Sequence, residues 1–203
     1  MSADHFYRPE DGHGLPYDPF KAIVAPRPVG WISTRGPDGA VNLAPYSFFN
    51  AVVSHPPIVM FSSDSEKDTV AFARQTGEFV CNFVSAGLAD QMNLTSASVP
   101  RGTSEFDLAD LAMAPSRVVD APRVCDAPAA LECTVTQIIQ PLDRHGAALD
   151  VWTVFGEVVG VHINGAFLND GRFDTARADP VTRLGYRDFG RLGPVFALTR
   201  PDD

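Results

Sequence analysis

Apolar residues occur along this chain in short runs, and glycine, proline or small polar residues separate one run from the next. In the second half, residues 149–163 place apolar side chains such as Val151 and Phe155 at alternate positions, and residues 129–139 alternate in part. Alternation with period two is typical of a strand that has one buried face. These two segments therefore predict two long strands, with a hairpin turn at residues 145–147 between them.

The first half of the chain predicts shorter strands with clear breaks between them. Residues 36–39 read Gly-Pro-Asp-Gly, which is turn chemistry and predicts a β-hairpin between the strands on either side. Proline cannot donate a ladder hydrogen bond, so Pro45 is expected at a strand end or a bulge. The strands predicted in this half are residues 29–34, 41–44, 48–53, 58–62 and 78–84.

Helical patterns are few. The predicted helices are residues 17–25, 68–75 and 88–96, and one further turn is expected at residues 105–108. Gly77 suits the left-handed conformation that ends a helix. Residues 189–198 are expected to close the sheet. Long strands with few helices and no alternation of strand and helix predict a mainly β fold, an antiparallel barrel with helical insertions.

Composition narrows the class of protein. The chain has 203 residues, of which 45% are hydrophobic and 20% charged, as in an ordinary globular domain. A net charge of -9 argues against nucleic acid as a partner, because binding phosphates requires clustered Lys and Arg. No apolar run is long enough to span a membrane, and the first residues lack a signal-peptide pattern. We therefore expect a cytoplasmic protein with no membrane partner.

Several common chemistries have no motif here. The three cysteines, Cys81, Cys125 and Cys133, form no CxxC unit and are expected to be buried reduced thiols. The five histidines are scattered, which argues against a metal site. The sequence contains no nucleophile elbow, no Walker loop and no dinucleotide-binding glycine motif. We assign no acid, base or nucleophile.

Two segments carry candidate chemistry, and each allows a plainer interpretation. Residues 62–69 combine hydroxyls with Lys67 at the start of a helix, which suits a phosphate, but taken alone the segment is better explained as an ordinary helix start with Ser65 or Asp68 as the N-cap. Residues 42–50 offer amides, hydroxyls and aromatic rings to a flat isoalloxazine ring, but they also describe the edge of a sheet.

Other polar positions also allow more than one interpretation. Arg27 and Arg183 can each hold an anion or be surface charges, and Glu105 and Asp107 are expected on a solvated loop face. The roles of Asn93 and Tyr186 are not assigned.

Taken in order, these segments resemble one family. The matching motifs are Arg27-Pro28-Val29-Gly30-Trp31-Ile32-Ser33-Thr34, Asn42-Leu43-Ala44-Pro45-Tyr46-Ser47-Phe48-Phe49-Asn50, Pro56-Pro57, Lys67-Asp68-Thr69, Gly77-Glu78-Phe79-Val80-Cys81-Asn82, Met92-Asn93, Glu105-Phe106, Ala130-Leu131-Glu132-Cys133, Gly156-Glu157-Val158-Val159 and Arg183-Leu184-Gly185-Tyr186. This ordered set resembles the flavin reductase-like, FMN-binding split-barrel family, and its flavoredoxin-type branch in particular. The resemblance divides the chain into an arm (1–19), one flavin reductase-like domain (20–200) and a tail (201–203).

The resemblance implies a six-stranded antiparallel split barrel, a homodimer and non-covalently held FMN near the dimer interface. It also implies a set of cofactor contacts. These are Asn42, Ala44, Tyr46, Ser47, Phe48, Asn50, Ser62, Ser63, Lys67, Asp68 and Thr69.

The resemblance leaves the activity open among three alternatives. One is an NAD(P)H:FMN oxidoreductase whose electrons pass to free flavin, oxygen, or a partner such as an electron-acceptor protein or a monooxygenase. The second is an FMN-bearing electron carrier without its own NAD(P)H turnover. The third is a split-barrel relative that has lost flavin. Fold alone does not decide among them.

Overall fold

The computed structural model describes residues 4–100 and 102–201. Within these residues the strands are β1 (Arg27–Pro28), β2 (Gly30–Arg35), β3 (Val41–Tyr46), β4 (Phe49–Ser54), β5 (Pro57–Asp64), β6 (Glu78–Asn82), β7 (Met113–Ala114), β8 (Arg123–Val124), β9 (Ala129–Ile139), β10 (Val151–Ile163), β11 (Leu168–Asn169), β12 (Arg172–Phe173), β13 (Thr182–Arg183) and β14 (Phe189–Gly190). The α-helices are α1 (Phe20–Ile23), α2 (Asp68–Thr76), α3 (Ala89–Leu94), α4 (Glu105–Leu108) and α5 (Thr175–Ala178). Short 3-10 helices cover Pro9–Asp11, Ala86–Leu88 and Gly165–Phe167.

One seven-stranded sheet forms the body of the protein. Its strand order is β3-β2-β6-β9-β10-β5-β4, and every neighbouring pair is antiparallel. The sheet begins and ends with strands that are consecutive in the chain, since only Ser47 and Phe48 separate β3 from β4. The two edges of the sheet must therefore meet, so the sheet curls into a barrel.

The barrel closes through one bent strand, which is made of β3 and β4. Successive antiparallel pairs give β3 and β4 the same direction, so the chain continues through Ser47 while its partner changes from β2 to β5. The backbone N–H of Ser62 donates to the carbonyl of Phe48 at 2.8 Å, which carries the β4–β5 pairing up to the bend. Beyond it β3 and the end of β5 diverge, and this split opens beside α2.

The barrel interior is apolar. It contains Phe61 and Phe79, whose rings meet edge to face at 5.3 Å, and Tyr46 packs on Phe61 at 4.8 Å. Val70 and Ala73 of α2 belong to the same cluster, so this helix covers one end of the barrel. Burial of these side chains provides most of the stabilisation, at roughly 25 cal/mol per Å² of apolar surface.

A second apolar cluster lies on the outer face of β2 and β3. Trp31, Leu43, Met92 and Phe106 are its largest buried members. Because Ile32 faces the interior while Trp31 and Ser33 face outward, β2 is buried on both faces. The short helices α3 and α4 therefore lie against the outside of the barrel.

Glu132 of β9 organises a loop on the outer surface. Its carboxylate is fully buried and accepts the backbone N–H groups of Arg117 (2.8 Å), Val118 (2.7 Å) and Val119 (3.0 Å), together with a bond from the His162 ring. Burial alone raises the pKa of Glu132, but these donors outweigh it and hold the pKa at about 2, against an ordinary 4.5.

The predicted fold class is confirmed. The split barrel was expected to have six strands, and the seven-stranded count becomes six when β3 and β4 are taken as one bent strand. The predicted helix at 68–75 is α2, and Gly77 ends it with a φ of 77°. Pro45 lies in β3, an edge strand that pairs with β2 on one side. The backbone N–H that proline lacks therefore does not have to bond to a second neighbouring strand.

Two local predictions are wrong. Residues 189–198 do not close the sheet, because only Phe189–Gly190 is a strand and it pairs with β13 in a separate three-stranded sheet. Neither Ser65 nor Asp68 is the N-cap of α2, since Lys67 occupies that position without a side-chain cap. Ser65 instead has a positive φ of 67° in the turn before the helix.

The predicted arm at residues 1–19 has little regular structure where it is described, and Glu10 forms an ion pair with Arg144 of the β9–β10 loop. Residues 1–3 and two of the predicted tail residues, 202 and 203, lie outside the described part of the chain. No helix within residues 4–100 and 102–201 has the length and apolar character needed to cross a membrane.

Candidate functional site

A polar cleft of about 520 Å³ lies where the barrel splits between β3 and α2. Strand β3 and the first turn of α2 form one wall, and the segment after α3 forms the other. Its lining residues are Asn42, Ala44, Pro45, Tyr46, Lys67, Asp68, Thr69, Thr95, Ser96, Ala97, Ser98, Val99 and Glu105. A cleft of this volume, with several polar groups, suits a small organic cofactor.

A buried hydrogen bond fixes the position of α2 against β3. The side-chain amide of Asn42 donates to the hydroxyl of Thr69 at 2.7 Å, and both side chains are buried. The phenol of Tyr46 lies beside Thr69 and Ser63. Burial raises the pKa of Tyr46, while those two hydroxyls oppose the rise, so the phenol is neutral and able to donate a hydrogen bond.

Lys67 supplies the positive charge in this cleft. It is exposed at the N-cap of α2, and within the described residues its ammonium group forms no ion pair. The helix has no side-chain N-cap, so its first turn keeps backbone N–H groups that lack intrahelical partners. A cation beside such a helix start favours an anion such as a phosphate.

Glu105 closes the bottom of the cleft. Its carboxylate accepts the backbone N–H of Leu43 at 2.9 Å, a donor that edge strand β3 would otherwise leave unpaired. Glu105 was expected on a solvated loop face, and that prediction is wrong because its side chain is buried, whereas Asp107 is exposed. Burial raises the pKa of Glu105, and the Leu43 N–H opposes this shift.

The far wall of the cleft is held by a buried indole. Trp31 donates from its ring nitrogen to the hydroxyl of Thr95 at 2.8 Å, and Thr95 donates to the carbonyl of Met92 at 2.7 Å. These bonds fix the end of α3 against β2. The following residues, 96–99, therefore have a defined position although they form no helix or strand.

A smaller hollow of about 190 Å³ continues the cleft past Pro45 and Ser96. It runs between the bend in the barrel strand and the end of α3. Its lining residues are Val29, Pro45, Ser47, Met92, Asn93, Ser96, Arg183 and Phe189. The site thus joins a polar end at Lys67 to a more apolar end at Ser47.

The structure gathers seven of the predicted contact residues around this site and places four elsewhere. Asn42, Ala44, Tyr46, Ser47, Lys67, Asp68 and Thr69 line the cleft or the hollow. Ser63 is buried directly beneath, next to Tyr46. Phe48, Asn50 and Ser62 line neither cavity.

Each of the last three residues has another contact. The ring of Phe48 lies 5.8 Å from the ammonium group of Lys21, and Asn50 accepts the backbone N–H of Ala51 at 2.8 Å. The Ser62 hydroxyl is 2.8 Å from that of Thr153 on β10. Period two explains the division between neighbours, because Ser63 faces inward and Ser62 therefore faces outward.

Arg27 holds the chain together near this site. Its buried guanidinium donates to the carbonyls of Lys21, Val24 and Leu184, the last at 2.7 Å. The interpretation of Arg27 as a surface charge is therefore wrong. These bonds tie α1 and the segment after β13 to β1.

The cysteines take no part in the site. Cys81 and Cys133 are buried in the barrel interior, as predicted, whereas Cys125 is exposed. Burial raises the pKa of Cys81 to about 12 and raises that of Cys133 as well, so both thiols stay protonated. Among the described residues, no group of three or more His, Cys, Asp or Glu is arranged to hold a metal ion.

Comparison with known families decides what kind of protein carries this cleft. The family model described as flavin reductase like domain matches residues 24–177. The chain belongs to the flavin reductase-like family. The match covers β1 to β12, and so both walls of the cleft. This flavin reductase-like chain is also 33% identical over 183 residues to an uncharacterized protein of Halalkalibacterium halodurans, covering 88% of this chain and 87% of the relative.

Solved structures share the fold of this flavin reductase-like chain. Component B of nitrilotriacetate monooxygenase from Bacillus cereus superposes with a TM-score of 0.88 at 28% identity, covering 98% of this chain and 100% of that one. The 2-nitrobenzoate 2-nitroreductase of Pseudomonas fluorescens gives a TM-score of 0.79 at 29% identity, covering 90% and 88%. Both likenesses extend over nearly the whole chain.

Proposed function

We propose that this protein is an FMN-dependent oxidoreductase in which NADH or NADPH reduces FMN by hydride transfer. The electrons then pass to free flavin, oxygen or a partner protein. Family membership supports oxidoreductase chemistry on a flavin, and FMN and the nicotinamide donor are the further steps of the proposal. When bound, FMN supplies the redox chemistry, and the protein supplies binding, orientation and electrostatics.

The observation that carries the proposal is the joining of a cationic, hydroxyl-lined end to a more apolar end in one site. Lys67, Thr69 and the start of α2 fit a phosphate. Pro45 and Ser47 at the bend offer a surface and a hydroxyl to a flat ring. The site therefore matches the two halves of a flavin mononucleotide.

In this proposal the residues of the chain hold the cofactor and exclude water from it, and they transfer no proton. The Asn42–Thr69 bond fixes the two walls at the polar end, and Tyr46 presents a neutral phenol beneath it. Half-burial of Pro45 and Ser47 limits the water beside a ring bound at the bend. We place no acid or base in the reaction.

The test is a visible spectrum of the purified protein, repeated after anaerobic NADH and then NADPH. We expect a yellow protein whose flavin absorbance near ~450 nm bleaches rapidly with one donor. A yellow protein that is reduced by dithionite but by neither nucleotide would identify an electron carrier instead. A colourless protein that takes up no added FMN would contradict the flavin site itself.

An oxygenase component is the partner that the comparisons favour, because a structure that covers 98% of this chain is component B of a monooxygenase. We also propose a homodimer. Exposed apolar side chains support it, notably Val195, Phe196 and Leu198 of the extended C-terminal segment and Val159 and Val161 of β10. Apolar side chains exposed in this number are typical of surfaces that another chain covers.

A further inference from the structure

A third cavity adjoins the site on its outer side. It has a volume of about 480 Å³ and lies between α3 and the β13–β14 hairpin. Its lining residues are Ala89, Asp90, Met92, Asn93, Arg183, Arg187 and Phe189, and four of them also line the hollow beside Ser47. The outer cavity and the hollow are therefore continuous through Arg183.

Positive charge is concentrated in this outer cavity although the chain as a whole carries -9. Arg183 donates to the carbonyls of Tyr186 (2.7 Å) and Arg187 (3.4 Å), and its guanidinium lies 4.4 Å above the Phe189 ring. These partners fix the guanidinium without neutralising its charge. Arg187 is exposed and, within the part of the chain that the structure describes, has no ion-pair partner.

Neighbouring groups do not cancel this charge. The carboxylate of Asp90 lines the cavity, and one carboxylate against two guanidinium groups leaves a net positive site. A third guanidinium lies nearby, since burial and then the charge of Arg183 lower the pKa of Arg27. By contrast, Arg191 farther along the segment is neutralised by an ion pair with Asp179.

The chemistry of the cavity selects its ligand. A guanidinium held in place offers paired N–H donors that match the oxygens of a phosphate. A carboxylate beside it can accept hydrogen bonds from the hydroxyl groups of a ribose, as in other nucleotide sites. The cavity is also separate from the Lys67 end of the cleft, because the two share no lining residue.

We propose that Arg183, Arg187 and Asp90 bind the pyrophosphate and ribose of the nicotinamide dinucleotide, with its nicotinamide end directed into the hollow beside Ser47. This inference rests on the proposed function and names where the electron donor is held. Arg183 forms the inner wall, which is shared with the hollow, and Arg187 contributes the exposed side of the site.

The test uses FMN-loaded protein and ADP-ribose, which has the pyrophosphate and ribose of the donor but no nicotinamide. Isothermal titration calorimetry is run on the wild type, Arg187→Ala, Arg187→Lys and the control Arg172→Ala, which removes an exposed arginine of β12. We expect Arg187→Ala to weaken ADP-ribose binding at least tenfold, Arg187→Lys to weaken it less, and the control to match the wild type. The FMN dissociation constant should be the same in all four.

Any other result of these binding measurements overturns the proposal. Absent ADP-ribose binding by the wild type, or equal binding by Arg187→Ala, would remove the cavity as a donor site. A parallel loss of FMN affinity would assign it to the flavin, and a loss of FAD but not ADP-ribose binding would assign it to a second flavin. If ADP-ribose binds through Arg187 but neither nucleotide reduces the flavin, the reductase proposal fails while the binding site stands.

Discussion

Single residues in this protein have roles that their neighbours in space determine. Lys67 is an exposed cation with an open helix start beside it, while Glu132 is a buried anion surrounded by backbone donors. An exposed charge thus serves binding in one place, and a buried charge of opposite sign serves loop structure in the other. Two predictions separate these roles.

Lys67→Ala should weaken FMN binding by ~1.5–3 kcal/mol, because it removes one charge-assisted contact to the phosphate. The measurement is a titration of the apoprotein with FMN, monitored by the quenching of flavin fluorescence. Arg117→Ala is the matched control, since it also removes one exposed cation but lies in the loop held by Glu132. An FMN dissociation constant unchanged by Lys67→Ala would exclude this lysine from the site.

Glu132→Gln should remove part of the acid sensitivity of the fold. The pKa of Glu132 lies at about 2 in the folded protein, so its stabilising effect is complete above the ordinary 4.5 and is lost as pH falls through about 2. Glu132→Gln should therefore lower the free energy of unfolding by ~1.5–3 kcal/mol at pH 7 and by less at pH 3.

Urea denaturation at pH 7 and pH 3 measures the effect of Glu132→Gln. The control is Glu157→Gln, on half-buried β10, which should change the free energy of unfolding little at either pH. A difference between wild type and Glu132→Gln that is the same at both pH values would contradict the assignment.

At the scale of elements, two glycines leave room for aromatic rings that pack against the barrel strands. A Cβ added to Gly30 of β2 would lie 2.5 Å from the ring of Phe49, and one added to Gly156 of β10 would lie 2.4 Å from the ring of Phe79. Both aromatic rings fill the interior from a different strand. These two glycines therefore set the distance between strands and the rings that pack across them.

Gly156→Ala should lower the free energy of unfolding by ~1–3 kcal/mol, because Phe79 is fully buried and cannot move away without disturbing the core. Thermal and urea denaturation measure this loss. Gly193→Ala is the control, since nothing lies within 4 Å of an added Cβ there. Equal stability of Gly156→Ala and the wild type would mean that the interior repacks freely at this strand.

Much of this element structure was predictable, and its limits have physical reasons. Period two and turn chemistry identified β9 and the β2–β3 hairpin, because those signals are local. The burial of Glu105 was missed because its partner, the N–H of Leu43, is 62 residues away. The family motif contains Gly156, but only the fold shows that Phe79 requires it.

One wall of the site was predictable from the sequence, and the other was not. Alternation along β3 places Asn42, Ala44 and Tyr46 on one side, so their grouping was accessible from the sequence. The second wall, formed by residues 95–99, carries only small polar side chains and gives no pattern of its own. It becomes part of the site through the Trp31–Thr95 hydrogen bond, which joins distant parts of the chain.

At the scale of the whole molecule, exposed apolar side chains predict assembly. We expect the wild type to sediment as a dimer in analytical ultracentrifugation and Leu198→Ser to shift it towards monomer, because Leu198 is 85% exposed in the single chain. Leu142→Ser is the control, as this leucine is 62% exposed on the β9–β10 loop. A monomeric wild type with full FMN affinity would contradict the homodimer and its role in the site.

The bend between β3 and β4 also determines how the barrel can deform. Three Cα–Cα steps separate Tyr46 from Phe49, so the two edges stay within ~11 Å of each other there. Farther along, no ladder pairs β3 with β5 in the described residues, and a side-chain hydrogen bond from Asn42 of β3 to Thr69 of α2 spans the split. The two edges are therefore joined covalently at Ser47, whereas at the Lys67 end they are held by side chains. Opening the split there would break no backbone ladder bond but would separate Asn42 from Thr69, so this buried hydrogen bond sets the width of the cleft.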